Sequence, residues 1–248
     1  MLNNNSFDNS DKARKEILDL YKDIRFSDVI DGMDLIGLQD IGLMDNDIRP
    51  LWRDTDKLTH KVVGFAVTVR YVPTDIRVGV NSFKTVEEAK AWKNKQYGRA
   101  NDAGWVKSGK RGDVVVMDIN GVFECGNIGS NNTLGWSQKG FAGVITNGGA
   151  RYADEIIKTG KIPVYCRNGY STRGIRPGRM IIESYNFPIS CAGVLVYPGD
   201  LIVADGDGVI VVPHEHALEV GKLAKEIMTG DQSSRTQQLK ELDKTRVK

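Results

Sequence analysis

The stretch FAGVITNGGARYADEIIKTGKIPVYCR, residues 141–167, decides the fold class. FAGVIT is a short apolar, β-branched run of the kind that forms a buried strand. Gly148 and Gly149 then turn the chain, RYADEIIKTG carries helical spacing, and IPVYCR is a second strand. Upstream, GDVVVMDI leads through NGVFECGNIGSNN into a helix, TLGWSQKG. The order β-α-β-α-β is that of a parallel sheet covered by helices.

The flanking segments extend this sheet. Asp11–Tyr21 has apolar residues at helical spacing, and FSDVIDGMD reads as a short helix capped by Ser27 or Asp28. KVVGFAVTVRYV is a strand and TVEEAKAWKNKQYGRA a solvated helix. RNGYSTRGIRPGRMIIES reads as a loop. FPISCAGVLVYPGDLIVADGDGVIVVP holds three short strands broken by YPGD and DGDG, so Asp205 and Asp207 are turn residues. A last helix, HALEVGKLAKEIM, precedes a polar tail with the character of a frayed end or an arm over a neighbour. At roughly 150 residues per domain, 248 residues make one large or two small domains, and no linker supports a cut. The reading is a single α/β domain over 26–228, with a lead-in helix at 1–25 and a tail at 229–248.

Composition excludes several functions. With 34 basic and 32 acidic residues the net charge is +2, which gives no basic stripe for nucleic acid. No apolar run is long enough to span a membrane, and the N-terminal segment is not a signal peptide. Cys125, Cys166 and Cys191 lack CxxC spacing and fit reduced thiols, so a cytoplasmic protein is expected. His60 stands alone, and His214 and His216 form an HEH pair without further metal-ligand spacing. Trp136, Tyr170 and Tyr185 read as core or interface aromatics.

The chemistry gathers at two glycine turns, GNIGSNN (126–132) and TNGGAR (146–151). Turns that leave parallel strands on the same side share one rim, where ligands bind. Ser130 or Asn131 is a natural N-cap, and the amides of Gly129, Ser130, Asn131 and Asn132 can approach an anion. Arg151, read in the first turn of a helix, is disfavoured there by the dipole unless it faces an anion; otherwise it pairs with Asp154 or Glu155 or reaches solvent. Neither turn carries a nucleotide fingerprint, so no nucleotide cofactor is expected.

The block from Gly129 through GFAGVITNGGAR resembles the RraA-like superfamily, as do IPVY, AGVLVYPGDLIVADGDGVIVVP and the final helix. That family holds regulators of RNase E activity, which act by protein contact, and class II 4-hydroxy-4-methyl-2-oxoglutarate aldolases. The resemblance covers about Phe26 to Met228. It implies a swivelling β/β/α sandwich, assembled as a homotrimer or hexamer with sites between subunits.

The aldolases carry an acidic residue, twenty intervening residues, then Arg-Asp. Here the matching positions are Ser130, then Arg151-Tyr152. The arginine that resemblance assigns to the pyruvoyl anion is present, and both metal-site carboxylates are not. The resemblance implies Mg²⁺ or Mn²⁺, and these replacements imply an ion held weakly or not at all. Candidate substitute ligands are Asp154, Glu124 and, from a neighbouring subunit, Glu226 or Asp231. Asp154 stands about 200° round the helix from residue 152 at ~100° per residue. Arg151 and Tyr152 are thus the candidate catalytic pair. Arg173 and Arg176, with Arg179 at the same spacing of three, present either a cationic edge for a polyanionic ligand or a solvated loop pairing with Glu183. Three functions are open: a lyase on a 2-oxo acid with an altered metal site, a regulator acting by contact, and different acid–base chemistry by Tyr152 on a sugar acid.

Overall fold

Six consecutive residues, DVVVMD, are buried on both faces and form the middle of the molecule. The structure, a computed structural model, describes residues 10–76, 83–100, 104–122, 124–167, 173–175 and 179–246. Arg176 and Tyr170, singled out above, lie outside the described residues.

The chain opens with α1 (Asp11–Tyr21) and α2 (Phe26–Asp34), followed by β1 (Ile48–Pro50), β2 (Val62–Pro73), α3 (Val86–Ala100) and α4 (Gly104–Ser108). The parallel units follow: β3 (Asp113–Asp118), β4 (Cys125–Ile128), α5 (Ser130–Lys139), β5 (Gly143–Thr146), β6 (Gly149–Ala150), α6 (Ala153–Thr159) and β7 (Val164–Arg167). Then come β8 (Arg173–Gly174), β9 (Met180–Tyr185), β10 (Ile189–Cys191), β11 (Val194–Val196), β12 (Leu201–Asp205), β13 (Gly208–Val212), a 3-10 turn (His214–His216) and α7 (Ala217–Arg246).

The large sheet runs β1-β7-β5-β3-β2-β12-β13, with β9 also paired to β2. The steps β2–β3, β3–β5 and β5–β7 are parallel. A bridge from Leu43 to Ile210 brings the two ends together, so the sheet is nearly closed. Strand alternation sorts the core into layers. Val115, Met117 and Val144 face Trp105, Trp136 and Ile156 under the helices. Val114, Val116 and Ile145 face the hairpin β10–β11. Leu201 and Val203 point away from that interior to α1, α2 and α7. This is the mixed α/β single domain that the β-α-β-α-β pattern indicated.

Several local readings need correction. Residues 180–185 form β9 on the edge of β2, with a bulge at Arg70 and Tyr71, and not a loop. Residues 187–213 hold four strands, because Ala192 and Gly193 make a two-residue turn with φ of 49° and 84°. Both positive values are what a tight hairpin turn requires, and an alanine conceals the signal. Arg25, rather than Ser27 or Asp28, is the N-cap of α2, and its amide donates to Asp28 Oδ2 at 3.2 Å. The polar segment beyond Met228 continues α7 to Arg246, largely exposed. In the first half of α7, Ala217, Val220, Ala224 and Met228 are buried.

Candidate functional site

The short strands β4, β6 and β8 form a separate parallel sheet in the order β6-β4-β8. Its register pairs Gly126 with Gly149 and Ile128 with Ala150. That pairing sets the two glycine turns side by side, and the Arg151 amide closes the junction on Ile128 O at 2.8 Å. The expectation of one shared rim therefore holds in the geometry. Around it lies a cleft of about 390 Å³ lined by the 126–132 turn, Arg151, Tyr152 and Glu155, with Tyr71, Tyr97 and Trp136 as aromatic walls.

Helix α5 points its start at this cleft. Gly129, not Ser130 or Asn131, is its N-cap, and no side chain caps it. Thr133 N–H bonds back to Gly129 O, which leaves the preceding amides of Ser130, Asn131 and Asn132 without intrahelical acceptors. Ser130 is thus freed from capping. Its Oγ instead donates to Glu155 Oε2 at 2.7 Å, and Ser130 itself is buried.

Arg151 does not stand in a helical turn. Helix α6 begins at Ala153, and Arg151 belongs to the bend that follows β6. Among the described residues it forms no ion pair with Asp154, Glu155 or any other carboxylate. Its guanidinium carbon lies 5.1 Å from the centre of the Tyr152 ring. On its other side it rests on Gly174, where a Cβ would come within 2.3 Å of Nη1. Only glycine leaves room for the guanidinium there. Aromatic ring and bare backbone together hold a cation in place without neutralising it.

Tyr152 is the N-cap of α6 in a left-handed conformation, φ 59° and ψ 41°, and its side chain makes no cap bond. Such a backbone is an outlier for a bulky residue, and outliers of this kind gather at functional sites. The residue is 57% exposed and its ring approaches Gly129, with Cδ2 3.8 Å from where a Cβ would stand. It therefore forms the mouth of the cleft between Gly129 and Arg151.

Other sequence candidates lie elsewhere. Arg173 lines a neighbouring groove with Phe83, Trp92 and Arg179, and its Nη1 is 3.9 Å from Glu124. The alternation of β8 explains this: Gly174 lines the cleft, so Arg173 faces away. Arg179 donates to Gly174 O at 2.9 Å. Glu183 ion-pairs with Arg70 at 3.2 Å. Asp154 is exposed and does not line the cleft, nor does Glu124. Within its own chain Asp231 pairs with Arg25 at 2.8 Å, where α7 meets α2. Asp205 accepts from Phe26 N and Asp207 N, as a turn residue does.

Sequence reading missed Glu155 as a member of the site; only its place near the glycine turn hinted at it. It also missed Asp200, the partner of the HEH segment. His214 Nδ1 lies 3.3 Å from Asp200 Oδ1 and 3.5 Å from Glu215 Oε2, the one such group near metal-ligand spacing among the described residues. Asp200 is already engaged by the amides of Tyr197 and His214, so it ties two turns together. All three cysteines are free and buried, and burial pushes the thiols of Cys125 and Cys191 up, away from nucleophilic use.

A family model described as RraA-like, Aldolase/RraA, matches residues 26–211. Protein DlpA of Legionella pneumophila is 27% identical over 194 residues, which is 78% of this chain and 27% of that protein. A protein of Halalkalibacterium halodurans named as a candidate 4-hydroxy-4-methyl-2-oxoglutarate aldolase is 36% identical over 124 residues, 49% of this chain and 56% of its own length. The chain thus spans little more than half of these curated relatives at most. The crystal structure of RraAS2 from Streptomyces coelicolor, described as an unusual member of the RNase ES inhibitor RraA protein family, aligns with a TM-score of 0.68. It shares 23% identity and covers 89% of this chain and 96% of that one, a likeness of fold. A protein of Pseudomonas syringae gives the same TM-score at 24% identity, covering 88% and 89%. No helix among the described residues is long and apolar enough to cross a membrane. The model match spans most of the residues that form the sheet and the cleft, and the chain belongs to the RraA-like family.

Proposed function

We propose that this chain binds a short 2-oxo acid, or a related sugar acid, by its carboxylate, and acts on it as a carbon–carbon lyase. The observation that carries the reading is the Arg151 guanidinium, which lines the same cleft as the start of α5 and has no carboxylate partner among the described residues. A planar fork and a helix start together make a seat for a carboxylate. The relatives named as aldolases support a lyase reaction.

In aldol cleavage, a base takes the proton of the 4-hydroxyl and the C3–C4 bond breaks. The electron pair then comes to rest on the C2 oxygen as an enolate, which is protonated at C3. Arg151 and the amides of Ser130, Asn131 and Asn132 would stabilise that charge, and aimed donors of this type are the main source of catalysis in enolate chemistry. Glu155 and the Tyr152 phenol are two of the groups on the cleft wall able to take or give a proton.

The family raises the question of a divalent ion. Glu155 is the one carboxylate among the described residues of the cleft, and a serine and a tyrosine stand where the resemblance places two acids. Mg²⁺ requires octahedral oxygen ligands with carboxylate charge among them. The donor set present does not fit a tightly held Mg²⁺ or Mn²⁺, and no step is routed through one.

Calorimetry with oxalate and pyruvate tests the reading. Arg151→Lys, which keeps the charge but loses the fork, is expected to weaken binding at least about tenfold. Equal affinity in wild type and variant would reduce Arg151 to a surface residue and remove the proposal.

A further inference from the structure

We infer that the cleft selects a hydroxylated monocarboxylate over a dicarboxylate, and that Glu155 sets this preference. The inference rests on the anion seat at Arg151 and specifies what the far end of the ligand must be. Among the described residues the cleft is lined by one cation, Arg151, and one carboxylate, Glu155. They do not pair with each other, so the cleft keeps a positive and a negative pole.

The negative pole is constrained. Ser130 Oγ occupies Glu155 Oε2 at 2.7 Å, and Glu155 Oε1 has no hydrogen-bond partner among the described residues. Glu155 is the third residue of α6, where an acid commonly reaches back to the amide of its own N-cap; here it reaches across to α5 instead. An ionised carboxylate only accepts hydrogen bonds. Whatever part of a ligand reaches Oε1 must therefore donate, as a hydroxyl does. A second carboxylate on the ligand would meet Glu155 as a like charge, in a site already carrying the ligand's first one. The remaining walls suit a carbon chain bearing hydroxyls: the Asn131 and Asn132 amides offer neutral partners, and Tyr71, Tyr97 and Trp136 add aromatic side chains to the lining.

A matched pair of four-carbon acids isolates the effect. Threonate and tartrate share carboxylate and hydroxyl positions and differ at C4, where one has a primary alcohol and the other a second carboxylate. Wild-type protein is expected to bind threonate at least about tenfold more tightly, by the repulsion that Glu155 adds. Glu155→Gln keeps the shape and one acceptor, and is expected to abolish the preference by tightening tartrate. Tartrate bound as well as threonate by the wild type, or a ratio unchanged in Glu155→Gln, overturns the inference. Arg151→Ala separates the two levels. Loss of both ligands in that variant upholds the anion seat whichever way the ratio falls. If neither acid, nor oxalate, binds the wild type, the seat itself fails and the selectivity with it.

Discussion

Replacing Tyr152 by alanine and by glycine measures the strain stored at the mouth of the cleft. Both changes remove the ring of a residue that is 57% exposed, a ring that lies under the Arg151 guanidinium. With less than half of the residue covered, the lost burial and cation–π contact amount to about 2 kcal/mol in either variant. The two differ only in backbone. At an ordinary position glycine is the less stable by about 0.5–1 kcal/mol, because its unfolded chain has more freedom to lose. At φ 59° and ψ 41° alanine retains a left-handed penalty of about 1–2 kcal/mol that glycine escapes. The order is therefore expected to reverse, with Tyr152→Gly about 0.5–1 kcal/mol more stable than Tyr152→Ala. For a chain of this size that is a difference of about 1–4 °C in Tm, readable by circular dichroism and by urea titration. Alanine equal to or above glycine would refute a strained Tyr152.

Other consequences of the site are equally direct. Gly174→Ala places a methyl within 2.3 Å of Arg151 Nη1, so the guanidinium swings aside; oxalate affinity should fall at least about tenfold while the melting curve stays close to wild type. Unchanged binding would show that Arg151 needs no such support. Ser130→Asp combined with Tyr152→Asp supplies two carboxylates to the rim. Calorimetry should then detect Mg²⁺ binding absent from the wild type, and tight EDTA-sensitive lyase activity in the wild type would contradict the account of the donor set. The protein is expected to form a homotrimer or a dimer of trimers, as the family resemblance implies, and light scattering showing a monomer at micromolar concentration would remove that expectation. Asp54 holds its carboxyl at about 2, below the ordinary 3.8, chiefly through the Lys57 amide and then the Thr59 hydroxyl. Its folded value is depressed, so its contribution is present above pH 4 and lost as pH falls toward 2. Asp54→Asn should flatten the acid limb of the stability curve in that window, and an unaltered limb would dissociate Asp54 from it.

What the sequence revealed and what it hid have physical causes. The parallel core was legible because GDVVVMDI, FAGVIT and IPVYCR are β-branched runs separated by glycine turns, and periodicity is the strongest local signal. Strands of two to four residues such as β4, β6 and β8 have too few positions for a period to register, and they assemble the cleft. Arg151 stood out in its turn as a candidate anion ligand, but its helical placement was wrong because it follows β6 in a bend and a left-handed Tyr152 separates it from α6. Glu155 was invisible as a site residue, since its partner Ser130 is 25 positions away and belongs to another helix. Arg173 misled because spacing along a loop says nothing about which face of a two-residue strand a side chain takes.

A crystal structure of the wild-type protein with oxalate and Mg²⁺ at millimolar concentration tests the central claim most directly. The account predicts one oxalate carboxylate on the Arg151 guanidinium and the amides of Ser130 to Asn132, with no ion bridging it to the protein. Oxalate chelating a metal ion, or bound anywhere other than between Arg151 and the start of α5, would contradict it.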